Sequence, residues 1–168
     1  NTIFTLALAP PTLSASDAQG MCDPVFENDK LVKGFENTLV FDNEADMLLA
    51  FLDMIEDADV LSGWNSEGYD IPYLTNRIKR VIDEKTANKL CLWNQSPRKR
   101  EYTKFGKIFA TYDLVGRVHL DYLMLYQKHN TQQQHSYRLD FIGEIEVGEN
   151  KIPYEGTLDD LYKKDFYR

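Results

Sequence analysis

Cysteine is scarce in this 168-residue sequence. Only Cys22 and Cys91 occur, far apart and outside any Cys-x-x-Cys or Cys/His cluster. Neither a disulfide framework nor a zinc site is therefore indicated, and a reducing compartment fits. Long apolar runs are missing too. The longest fall well short of the roughly 20 residues a membrane helix needs, and the stretch from Ile3 to Ala9 lacks the basic flank of a signal peptide. The expectation is a soluble protein of the cytoplasm, the host cytoplasm if the source is viral, with no membrane partner. Glycine-rich phosphate loops, Gly-x-Ser-x-Gly elbows and His-Glu-x-x-His helices are absent, which removes serine-hydrolase and zinc-protease chemistry. His119, His129 and His135 are scattered, without the spacing of a shared metal or of a nucleophile and its base, and read as ordinary surface or core residues. Positive charge is in deficit: 19 Lys and Arg stand against 27 Asp and Glu, for a formal charge of -8. Nucleic acid could then be held only through a local basic patch.

What is present suffices for one folded α/β domain, since 43% of residues are hydrophobic. Thr2 to Ala9 is apolar and β-prone and ends at Pro10-Pro11, predicting a strand followed by a long polar loop to about Gly34. A second strand, Asn37 to Phe41, leads to Asp42 as a helix N-cap. Behind it Ala45, Leu48, Leu49, Leu52 and Ile55 repeat at helical spacing, with Glu44 and Asp46 in the first turn. Asp59 to Trp64 reads as a short buried strand. From Asp70 a second helix carries Ile71, Leu74, Ile78, Val81 and Ile82 on one face, with Pro72 in its first turn. Arg98 to Tyr112 alternates basic with aromatic or β-branched residues around Gly106, which predicts a β-hairpin with its tip near Lys104 to Lys107. Shorter helices are expected over Leu120 to Lys128, Tyr137 to Glu146 and Leu158 to Lys163, with Asp121 and Ser136 as caps.

The segment richest in chemistry runs from Leu61 to Leu74, where a strand ends in Trp64-Asn65-Ser66-Glu67-Gly68-Tyr69 and Asp70 opens a helix. Polar groups at a strand's end reach solvent from rigid backbone, which is where open α/β sheets gather ligands. Taken alone, Asp70 reads as a helix N-cap. The wider pattern, Gly63-Trp64-Asn65 with Tyr69-Asp70-Ile71-Pro72-Tyr73-Leu74, closely resembles the second exonuclease motif of family B DNA polymerases, particularly the phage-type replicative enzymes. The resemblance continues through Phe41-Asp-Asn-Glu44, Asn76-Arg77, Leu120-Asp121-Tyr122, Ser136-Tyr-Arg-Leu139, Lys151 and Pro153-Tyr154-Glu-Gly156, so that it extends over residues 37 to 168.

That resemblance implies a ribonuclease H-like (DnaQ-like) exonuclease fold, incomplete at both ends, with residues 97–112 as a β-hairpin insertion. It also implies a proofreading 3′-5′ exonuclease domain of a DNA-directed DNA polymerase. Asp70 would be a catalytic, metal-binding carboxylate, while Asn65 and Tyr69 would contact the frayed primer strand. In the family, two divalent ions, Mg²⁺ or Mn²⁺, held about 4 Å apart by carboxylate oxygens activate water and stabilise the leaving 3′ oxygen. The implied partners are the DNA primer terminus, single-stranded DNA and the polymerase domains of a longer chain, with a sliding clamp as a further candidate.

The family also requires an Asp-x-Glu pair on a first strand and a Tyr-x-x-x-Asp motif on a late helix. No Tyr here is followed by Asp four residues on. The single Asp-x-Glu, Asp42-Asn-Glu44, precedes a Leu-rich helix and suits a cap instead of a metal strand. The first motif is expected before Asn1 and the third just past Arg168, and the chain alone is expected to bind metal weakly and cleave negligibly. In the hairpin, Arg98, Lys99, Arg100, Lys104 and Lys107 outnumber one acid, Glu101, with Tyr102 and Phe105 interleaved. Such cations and rings suit phosphate contact and base stacking, although a solvated edge protected by charge has the same composition. Two further functions fit the same residues: a non-catalytic module that binds single-stranded DNA or a protein, and an RNA-directed nuclease of similar fold.

Overall fold

The computed structural model describes residues 5–10, 13–27, 30–33, 35, 37–104, 106–151, 153 and 156–164, and the chain divides into two compact units. The first comprises residues 1–54 and 153–168, the second residues 55–152.

In the first unit, strand β1 (Thr5–Leu8) pairs in parallel with β4 (Thr38–Phe41), Thr5 opposite Thr38 and Leu8 opposite Phe41. The segment between them is not the open loop its polarity suggested. It folds as helix α1 (Ala15–Cys22) and an antiparallel pair, β2 (Val25–Glu27) with β3 (Lys30–Lys33). The helix is hard to read because its buried residues are two small ones, Ala18 and Cys22, and Gly20 interrupts it. What holds it is polar: Ser14 Oγ caps it by accepting from Asp17 N–H, and Gln19 straps it to β4. That Gln19 amide donates to Thr38 O at 2.9 Å and accepts from Val40 N–H at 2.8 Å, taking the place of a neighbouring strand's peptide. Helix α2 (Glu44–Met54) buries Leu48 and Leu52. Its cap is Asn43, whose Oδ1 accepts from Asp46 N–H at 2.9 Å, in place of the expected Asp42. Asp42 Oδ1 instead accepts from Ala15 N–H at 2.6 Å.

In the second unit, β5 (Val60–Gly63) pairs in parallel with β8 (Val118–Asp121), Val60 opposite Val118 and Gly63 opposite Asp121. The expected burial of β5 is not found, and Val60 is 52% exposed. Among the described residues β5 has a partner along one edge only. Helix α3 (Asp70–Val81) buries Ile71, Thr75 and Ile78 and packs against α4 (Glu84–Ala87), which continues as a 3-10 turn over Asn88–Leu90. Strands β6 (Arg98–Lys104) and β7 (Lys107–Asp113) form the predicted hairpin, Arg98 opposite Asp113 and Lys104 opposite Lys107. Phe105 and the side chain of Lys104 lie outside the described residues.

The helix expected from Leu120 begins later. Leu120 and Asp121 belong to β8, and α5 spans Tyr122–His129. A parallel pairing with a strand 58 residues away is a non-local feature that helical spacing cannot register. Helix α6 (Leu139–Val147) is entered through Arg138, so Ser136 is not its cap; Ser136 Oγ accepts from Arg138 N–H at 3.3 Å. One buried cation braces this unit. Arg117, 8% exposed, donates to Leu90 O at 3.1 Å, Ile55 O at 2.7 Å, Glu56 O at 3.3 Å and Ala58 O. The preceding Gly116 has φ 89°, and a Cβ there would come within 2.7 Å of Leu92 Cβ. The last helix, α7 (Leu158–Lys164), belongs to the first unit, where Tyr162 donates its hydroxyl to Ala9 O at 2.7 Å.

Candidate functional site

The turn from β5 to α3 is fixed from below by one carboxylate. Asp121, 7% exposed at the end of β8, accepts from Asn65 N–H at 3.1 Å, Glu67 N–H at 3.0 Å and Leu123 N–H at 3.0 Å. It is thus the expected cap of α5 and, in addition, the anchor of the turn. The parallel register that sets Gly63 opposite Asp121 brings these groups together. Asn65 adopts φ 59°, a left-handed conformation that Asn tolerates better than most residues. Its carbonyl accepts from Gly68 and Tyr69 N–H, both at 3.1 Å. Ser66, buried, donates to Gly63 O at 3.2 Å and lies 2.8 Å from His119 Nε2. Gly63 is needed here, because a Cβ would approach Ser66 Cβ to 2.9 Å. Trp64 Nε1 donates to Tyr137 O at 3.1 Å.

Asp70 is the first residue of α3 and does not cap it. Tyr69 occupies the cap position without a side-chain cap bond. The Asp70 carboxylate is exposed and has no hydrogen-bond or ion-pair partner among the described residues. An acid in the first turn of a helix is favoured by the macrodipole and needs no other support. The neighbouring acids are committed elsewhere: Asp121 to three N–H groups, and Glu67 to Arg100. Among the described residues no three His, Cys, Asp or Glu side chains gather closely enough to hold a metal ion. The groups present therefore do not by themselves fit a two-ion centre.

The basic residues of the hairpin divide into two kinds. Arg100 bridges carboxylates, with Nη2 on Glu67 and Nε 2.9 Å from Asp113, and these bonds, that to Asp113 first, push its pKa further up. Thr111, fully buried on β7, donates to Glu67 O at 2.7 Å, so the hairpin holds the turn at two points. Lys99 pairs with Glu101 at 3.1 Å, an exposed contact of little energetic weight. Arg98 and Lys107 are exposed and have no ion-pair partner among the described residues. Tyr102 stacks on Phe109 at 5.7 Å between ring centroids.

A shallow groove of about 380 Å³ runs along α3, lined by Tyr69, Tyr73, Asn76, Arg77 and Arg80 among others. Tyr69 and Tyr73 are 64% and 51% exposed, and their rings lie parallel, 5° apart, at 6.0 Å between centroids. Of these residues only Tyr69 carries a role read from the sequence; Tyr73, Asn76 and Arg77 enter as part of the resemblance, and Arg80 does not stand out. The signal for the others was the spacing 69, 73, 76, 80, a polar and aromatic stripe opposite the buried Ile71, Thr75 and Ile78.

Comparison with known proteins agrees with the turn. Residues 13–142 match the family described as DNA polymerase family B, exonuclease domain. The chain is 34% identical over 134 residues to the DNA-directed DNA polymerase of Escherichia phage RB69 and 31% identical over 130 residues to that of Enterobacteria phage T4. Each match covers 76% of this chain and 14% of the relative. The DNA polymerase of Bombyx mori nuclear polyhedrosis virus is 28% identical over 125 residues, 72% of this chain and 12% of the relative. The chain belongs to the exonuclease-domain family of the family B DNA polymerases, and it spans about one seventh of the length of its phage relatives. The match starts at residue 13, ahead of the Asn37 at which the motifs become legible, and stops at residue 142. No described helix is long and apolar enough to cross a membrane.

Proposed function

We infer that this chain contributes the second motif of a proofreading 3′-5′ exonuclease within a replicative DNA polymerase, on a ribonuclease H-like domain in which residues 97–112 are an insertion. The observation that carries this reading is Asp70: a carboxylate with no partner among the described residues, at the start of a helix whose approach is held by buried bonds to Asp121. An acid left unpaired on rigid backbone is suited to a hard cation such as Mg²⁺ or Mn²⁺, for which the family supplies the precedent. Its remaining oxygen partners would come from polypeptide beyond this chain. What these residues do themselves is position: Asp121 and Ser66 set the turn, Asn65 and Tyr69 face the primer end, and Arg98 and Lys107 offer charge to DNA phosphates.

The test is release of nucleotides from 3′-labelled single-stranded DNA with Mg²⁺ or Mn²⁺. The chain alone should release almost nothing. A longer polypeptide carrying it should be active and lose about a hundredfold or more on Asp70→Ala, in line with the importance of groups around a catalytic ion. Undiminished release by that variant would sink the assignment of Asp70. A second reading, a module that binds a strand without cutting it, draws on the lack of an acidic triple among the described residues. It requires the longer polypeptide to be inactive while strand affinity still falls with salt and on removal of Arg98.

A further inference from the structure

The second unit also carries a recess lined by no residue of the β5–α3 turn or of the hairpin. It encloses about 660 Å³ between the C-terminal parts of α5 and α6, against Tyr122, Leu125, Tyr126, His129 and Glu146 among others. Tyr126 is locked from three directions. Its ring meets Trp64 at 5.8 Å and Tyr137 edge-on at 6.4 Å between centroids, and its hydroxyl donates to Glu146 Oε1 at 2.6 Å. That bond first, and then desolvation, pushes the Tyr126 pKa up, so the phenol stays a donor and the carboxylate stays oriented. Glu146 Oε2 has no hydrogen-bond or ion-pair partner among the described residues, and Tyr122 is 59% exposed. The surroundings are more negative than helix stability favours. Glu144 and Glu146 sit in the last turn of α6, which holds no base, and acids there meet the negative end of the macrodipole. From Leu139 to Glu149 the sequence has four acids, Asp140, Glu144, Glu146 and Glu149, and no Lys or Arg.

We propose that this recess binds an arginine side chain presented by a basic segment of a second protein, with the guanidinium on the Tyr122 ring and donating to Glu146 Oε2. The chemistry of the walls selects that class of ligand. An open carboxylate in negative surroundings repels phosphate and carboxylate groups, whereas aromatic rings beside it attract a cation through their π-faces. Arginine suits the pair better than lysine, because a planar guanidinium stacks on a ring and directs several N–H donors to one carboxylate. A bare divalent ion is poorly served, since no three His, Cys, Asp or Glu side chains gather among the described residues. The volume exceeds that of one side chain and leaves room for peptide backbone around the arginine. Charge complementarity favours the same partner: a chain of formal charge -8 steers basic segments toward it. The site uses neither Asp70 nor the hairpin, so it stands apart from the proofreading reading.

Titration of the isotope-labelled chain with the peptide acetyl-Gly-Ser-Gly-Arg-Gly-Ser-Gly-amide, followed by NMR at physiological salt, tests the site. The amides from Tyr122 to Thr131 and that of Glu146 should shift together. Glu146→Gln, which keeps an acceptor for the Tyr126 hydroxyl, should weaken binding about tenfold, the loss of one charge-assisted bond. Tyr122→Leu should weaken it about threefold, the loss of an exposed cation–π contact. A peptide with citrulline, the neutral isostere, in place of arginine should give no shifts, and one with lysine should bind more weakly. Circular dichroism confirms that each variant folds, and the citrulline peptide tests the charge without any variant. Equal shifts from the citrulline peptide, shifts scattered outside the recess, undiminished binding by Glu146→Gln or no binding by the parent would each overturn the site. So would self-association of the chain that Glu146→Gln abolishes, because the recess would then hold a second copy.

Discussion

Two strand-to-helix turns in this chain carry acids, and they treat them in opposite ways. At residues 41–44 the polar groups serve their own surroundings: Asn43 caps α2, and Asp42 accepts from Ala15 N–H. At residues 63–70 the local work is done by groups brought from elsewhere, Asp121 from β8, His119 beside Ser66, and Thr111 from β7. Asp70 is thereby left, among the described residues, with no hydrogen-bond or ion-pair partner and only the dipole of α3 to favour it. The comparison shows how two Asp-containing turns of similar composition differ in chemical potential: a carboxylate is available to a ligand when its neighbourhood is stabilised without it.

The contrast can be broken most severely at Asp121. Asp121→Ala would leave three N–H groups around a small buried gap, and urea denaturation should show a loss of about 3 kcal/mol, as expected when charge-assisted bonds to a buried carboxylate are lost. Hydrogen exchange at Asn65 and Glu67 should accelerate in the same variant. If both stay protected, the turn is not held from below. A smaller change sharpens the other side. Asn43→Ala removes the α2 cap and should cost about 1 kcal/mol, read as a shift in denaturation midpoint with an unchanged slope. The smallest effect belongs to Asp70. Asp70→Asn, which gives up only a favourable dipole interaction, should move stability by about 0.5 kcal/mol or less, and a larger drop would mean that Asp70 does structural work after all.

The sequence was legible where information is local. Ile71 and Ile78 at helical spacing announced α3, and the alternation from Arg98 to Tyr112 announced the hairpin. Asn65, Tyr69 and Asp70 stood out because a long motif encloses them. It was illegible where an interaction spans distance or relies on small residues. Helix α1 buries only Ala18 and Cys22, too little apolar contrast to show as a period. The pairing of Arg100 with Glu67, 33 residues upstream, was equally hidden, because an arginine in an alternating strand looks the same whatever anion it meets. Asp121 was read as a helix cap, which it is, but its bonds to Asn65 and Glu67 depend on the parallel register of β5 and β8.

Arg117 determines where evolution and engineering can lengthen this chain. Its guanidinium grips the carbonyls of Ile55, Glu56 and Ala58, three acceptors within four residues. Adding a residue to that stretch would slide the acceptors out of reach and strand a buried positive charge, and a lysine, with no planar fork, could not take over the same set. The bend between β6 and β7 sets a different condition: Gly106 holds φ 71°, which favours glycine, but a Cβ built there meets nothing within 4 Å and no buried charge depends on its register. Extra sequence is therefore better accommodated at that bend than at the approach to β5.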